Sequence, residues 1–193
     1  MTTTLKKLLL TLLVLGTVGG LGAIRANAVF TSVASNGANT FTTGTVVIST
    51  SPASAFITFS AMVPGDVVTQ PLTVSNTGTA QLRYAVTSTT TENVLATQLA
   101  LTIKSGVTTC TTAGFGSSGS VVYGAGALGN TTAVNVVGNP TQGAQAGDRT
   151  LNASASEVLC FQVSLPLSSG NTFQGLTSTA TFAFDAEQTA NNP

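Results

Sequence analysis

Side chains able to do chemistry are few in this chain. The 193-residue sequence has no histidine. That excludes an H-E-x-x-H zinc site and any Ser-His-Asp or Cys-His nucleophile system within it. Six carboxylates remain: Asp66, Glu92, Asp148, Glu157, Asp185 and Glu187. Two carboxylates at a fitting separation can hydrolyse a glycosidic bond. Asp185 and Glu187 fall on one side of a strand, too close in sequence to flank a sugar. The others read as turn and strand-end residues, with Asp66 following Pro64-Gly65 and Asp148-Arg149 forming a local pair. Gly124-Ala125-Gly126-Ala127-Leu128-Gly129 has the outline of G-x-G-x-x-G, but no clear strand precedes it and no helix follows, so it reads as a loop. No catalytic residue, cofactor-binding residue or metal set is expected.

The remaining reactive groups are two cysteines, Cys110 and Cys160, and their chemistry depends on the compartment. Lys6-Lys7, the apolar run Leu8 to Leu15 and Ala26-Asn27-Ala28 together describe a cleavable export signal over residues 1–28. The uninterrupted apolar core is shorter than the roughly 20 residues a bilayer needs. A secreted chain with an even cysteine count is expected to form a disulfide, Cys110–Cys160. Without the signal, Arg83, Lys104 and Arg149 face the six acidic residues. Charged residues are 6% of the chain, against roughly 25% in an average soluble protein. There is no basic patch to bind nucleic acid, and any tie to a membrane would run through the uncleaved signal.

The elements that must position these residues are strands. Runs with a period of two occur at Thr45–Ser49, Ala55–Ser60, Val67–Asn76, Gln81–Thr87, Leu99–Lys104, Glu157–Leu165 and Leu176–Asp185. Val67–Asn76 and Gln81–Thr87, around Asn76-Thr77-Gly78, read as a β-hairpin. Pro64-Gly65-Asp66 is a type II turn signal, and a short helical turn fits within Glu92–Ala100. Ser105 to Gly147 reads as a long Gly-rich excursion with one apolar run, Val121-Val122-Tyr123. Seven or eight strands with little helical period predict an all-β, jelly-roll-like sandwich over residues 44–189, with a flexible tail at 190–193.

Three stretches carry a resemblance. Ala28-Val29-Phe30 runs on to Asn39-Thr40-Phe41-Thr42-Thr43-Gly44-Thr45-Val46. Met62-Val63-Pro64-Gly65-Asp66 is followed by Leu72 to Thr79. Asn171-Thr172-Phe173-Gln174-Gly175 leads to Phe182-Ala183-Phe184-Asp185-Ala186-Glu187-Gln188. In this order they resemble the TasA/camelysin family of secreted proteins. The resemblance implies a jelly-roll domain and, in several members, polymerisation into matrix or pilus-like fibres. It further implies that the segment after the signal, residues 29–43, is a donor strand whose apolar residues are Val29, Phe30, Val33 and Phe41. The expected partners are then other copies of the chain and other matrix or cell-surface components. The glycine-rich middle and the cysteine pair lie outside the resemblance. Camelysin's metallopeptidase label does not carry over to a chain without histidine. The alternative is a non-catalytic extracellular binding module for a glycan or surface, although the chain has no tryptophan and only Tyr84 and Tyr123 as tyrosines.

Overall fold

The computed structural model describes residues 3–21 and 40–192. The chain forms two compact units, Met1–Phe41 and Thr42–Pro193. In the first, helix α1 spans Thr3–Leu21, and its leucines from Leu8 to Leu15 are exposed. No described helix is long and apolar enough to cross a membrane.

The second unit is a sandwich of two sheets. The first sheet has five strands in the order β1 (Ile48–Ser51), β2 (Val67–Asn76), β8 (Ser156–Ser164), β4 (Ala100–Ser105) and β5 (Ser120–Ala127). The second is built on β3 (Leu82–Thr90), with β9 (Ala180–Gln188) pairing along its whole length. Strand β6 (Val134–Val137) and strand β7 (Arg149–Leu151) pair with β3 at Val86–Ser88 and Leu82–Tyr84. Because β9 fills one edge of β3, β6 and β7 share the other. Helix α2 (Val94–Gln98) follows β3, and the Glu92 carboxylate accepts the Leu95 and Ala96 N–H groups at its first turn.

Strands β8 and β3 sit at the centre. Leu159, Phe161 and Val163 project from β8, and Leu165 from just beyond its end, into the core with Leu82, Tyr84 and Val86 of β3, as period-two alternation requires. Phe161 is fully buried. Its ring meets Phe56 edge-on at 5.0 Å and Phe182 at 5.2 Å.

Three sequence expectations need correction. Strands β2 and β3 form no hairpin: β2 pairs β1 and β8, while β3 lies in the other sheet. The crossing is fixed by Asn76, whose buried Nδ2 donates to Ala80 O, Leu151 O and Asn152 O while its Oδ1 accepts Gly78 N–H. Gly78 must be glycine, since a Cβ there would lie 2.3 Å from Thr45 O. Ala55–Ser60 is not a strand. The β1–β2 ladder ends at Ser51 opposite Thr73, and the next residues are Pro52 on one side and, after Leu72, Pro71 on the other. Neither proline has an N–H to extend the ladder. The Gly-rich excursion contains strands β5 and β6, and Gly124 and Gly126 lie in β5 rather than in a loop.

Replacing Phe161 by alanine is expected to lower the unfolding free energy by about 3–5 kcal/mol. Val121→Ala on the exposed side of β5 should change it by no more than about 0.5 kcal/mol. Equilibrium denaturation of both variants checks the contrast.

Candidate functional site

The feature that a packed sandwich would not need is the outer edge of β9. A strand edge presents unpaired N–H and C=O groups and is a template for another chain unless it is short, bulged or charged. The other edges are blunted in these ways. Strand β1 has four residues and β7 three, and β6 has four. Strand β5 is longer, but its register against β4 shifts twice and Ala125 within it has φ 43°. Strand β9 is neither short nor bulged, although Asp185 and Glu187 lie within it. It pairs β3 in unbroken register from Ala180 to Gln188, carries no proline or lysine, and makes no backbone hydrogen bond on its other side among the described residues.

Beside this edge a cleft of ≈ 570 Å³ opens between the sheets. Val68, Leu72 and Val163 line it from the first sheet and Ala180, Phe182 and Phe184 from β9. Thr50 of β1 also lines it, so it lies between two edge strands. Residues 52–59 run along its rim, with Phe56 reaching inward. An apolar concavity beside an unpaired strand can accept an extended segment: the backbone pairs with the edge while alternate side chains enter the cleft.

Of the residues expected to form a donor strand, Val29, Phe30 and Val33 lie outside the described residues. Phe41 is 94% exposed. Cys110 and Cys160 form a disulfide with Cα atoms 5.6 Å apart. It ties the 106–119 loop over the outer face of β8, where Lys104 Nζ donates to Phe115 O at 2.8 Å and lies 4.9 Å from the Phe115 ring centre. The bond closes a 50-residue separation, which in the chain-entropy account is worth about 4 kcal/mol. Sequence reasoning missed the β9 edge, because an edge is defined by what does not pair with it. The two prolines that free residues 52–60 were the available signal.

Five of the six carboxylates, all but Asp185, are dispersed into structural roles. Asp66 accepts the Val63 N–H across the turn at Gly65. Asp148 does not pair with Arg149, as expected from sequence; it accepts the N–H groups of Asn139 and Gln145. Arg149 instead binds Glu157, with Nε 2.9 Å from both carboxylate oxygens and Nη2 on Oε2. Tyr84 Oη donates to the same carboxylate at 2.8 Å, so this cluster bridges the sheets. Glu187 pairs with the buried Arg83 at 2.7 Å. Burial raises the Tyr84 hydroxyl well above its ordinary range, reinforced by the neighbouring Glu157 charge and opposed by Arg149.

Because its folded value is raised, Tyr84 stabilises the fold below its unfolded pKa of about 10, and that contribution is lost as pH rises beyond it. The denaturation midpoint is expected to fall above about pH 10, and to fall less steeply in Tyr84→Phe. An equal slope in both proteins would assign the loss to other groups.

The sequence model of the camelysin metallo-endopeptidase family matches residues 5–102, half of the chain, from α1 to the start of β4. A comparison with curated proteins finds no match. The family's description implies a catalytic metal, and the donors here do not fit one. The chain lacks histidine, both cysteines are joined, and no three Cys, Asp or Glu side chains gather as a ligand set among the described residues. The cysteine pair and strands β5 to β9 lie beyond the match. By the extent of that match, the chain belongs to the TasA/camelysin family.

Proposed function

We propose that this protein is a secreted, non-catalytic structural subunit of an extracellular fibre or matrix, polymerising by strand addition between copies. The donor is the segment after the export signal, residues 29–43. The acceptor is the outer edge of β9 with the cleft beside it. The observation that carries this reading is the nine-residue, bulge-free, unpaired edge of β9.

The donor sequence suits the site. It is uncharged, and its apolar residues are spaced among Thr, Ser, Ala, Asn and Gly. Inserted into a neighbour, Phe30 and Phe41 would each contribute roughly 1.5–3 kcal/mol by burial, in addition to a ladder of backbone hydrogen bonds. Strand donation runs head to tail and does not close on itself, so it builds a filament rather than a dimer. Few charges are present to oppose close approach of subunits. Other matrix or cell-surface components are partners of the same class.

Deleting residues 29–42 tests this. Electron microscopy is expected to show filaments for the intact protein and monomers for the truncated one. If the truncated protein polymerises like the intact one, strand donation is wrong. If neither polymerises at high concentration, the fibre reading gives way to the extracellular binding module.

A further inference from the structure

One wall of the cleft is a segment whose attachment is unusual. Residues 52–60 leave β1 at Ser51 and run along the rim of the cleft in no regular structure. Their sequence, Ala55-Phe56-Ile57-Thr58-Phe59-Ser60, has the aromatic and β-branched alternation of a strand. Yet among the described residues they make no backbone hydrogen bond to either sheet. What fixes them is side-chain contact. Phe56 lies 5.0 Å from the Phe161 ring and 5.9 Å from the Phe182 ring, and Ile57 is half-buried against the core. Phe59 is half exposed. The segment ends at Ala61, which has φ 55°, a left-handed conformation that non-glycine residues adopt at a cost.

We propose that residues 52–60 are a removable strap: a wall of the cleft between β1 and β9, held through Phe56, that swings out as a unit to widen it. A segment held by side-chain packing and not by a ladder can open without breaking backbone hydrogen bonds, and local openings of this kind occur far below the cost of global unfolding. The strap narrows the same cavity that an incoming strand would enter. Its removal therefore gates access to the β9 edge and keeps the free subunit from exposing Phe161 and Phe182 to water. That use of the opening rests on the assembly reading above; the opening itself does not.

The test is thiol labelling of a cysteine placed beneath the strap, Val163→Cys, in the purified protein held monomeric at low concentration, across a series of low denaturant concentrations. Val163 is buried and lines the cleft, and the two native cysteines are joined to each other. Labelling is expected to proceed through a local opening insensitive to denaturant. Adding Phe56→Ala should speed it at least tenfold, and adding Phe56→Leu, a milder change for the fold, should speed it less. Labelling that follows denaturant with the slope of global unfolding and is unmoved by Phe56→Ala would overturn the inference, whether or not fibres form. Where fibres do form, Phe56→Ala subunits should add to preformed ends several-fold faster. Addition at an unchanged rate would overturn the strap as a gate while leaving strand donation intact.

Discussion

Burial of Phe161 is the contact on which the rest of this structure depends. Its ring sits at the middle of the central strand β8, fully out of water, and touches both Phe56 and Phe182, whose rings also lie 5.9 Å from each other. One side chain thus joins the centre of the first sheet, the segment 52–60 and the edge strand β9. Edge-to-face packing of this kind adds about 0.5–1.5 kcal/mol per pair beyond area burial. The polar bridge from Tyr84 to Glu157 and Arg149 fastens the same two sheets at a second point. There the carboxylate keeps all its partners, as a half-buried charge must.

Coverage of the two central strands explains why an edge is left over. Residues on both faces of β3 are buried, and Cys160 on the outer face of β8 is buried as well. That second layer is supplied by the Gly-rich chain, through the loop held by Cys110 over β8 and the 138–148 segment near Arg83. Chain spent over the faces of the central strands is not available beside β9. The result is a well-filled middle with one long open edge, the geometry that strand addition exploits.

Much of the architecture was legible in the residues. The consecutive apolar residues Leu159-Cys160-Phe161 within Glu157–Leu165 mark a strand covered on both sides. The spacing of Ala180, Phe182 and Phe184 gave the inner face of β9 directly, and the short helix fell within Glu92–Ala100. What was not legible depended on partners distant in sequence. Asn76 looks like a turn residue, yet one of its hydrogen bonds reaches Leu151, 75 residues on, and it separates two runs that local pattern would pair. Gly124 and Gly126 look like loop, but a Cβ at Gly126 would lie 2.2 Å from the Tyr123 hydroxyl, so glycine is what lets that strand form. Arg149 stands next to Asp148 in sequence and pairs with Glu157 across the fold. The alternation of Ala55–Ser60 promised a strand, and two prolines denied it a ladder.

Five of the carboxylates and the disulfide hold the scaffold together, and among the described residues the longest strand edge left unpaired is that of β9. The most direct test is an electron cryo-microscopy map of the assembled protein. The account predicts an added strand along the outer edge of β9, continuous with the N-terminal segment of the adjacent subunit, with an aromatic side chain in the cleft. A filament in which the β9 edge stays bare, with subunits meeting through other faces, would contradict it.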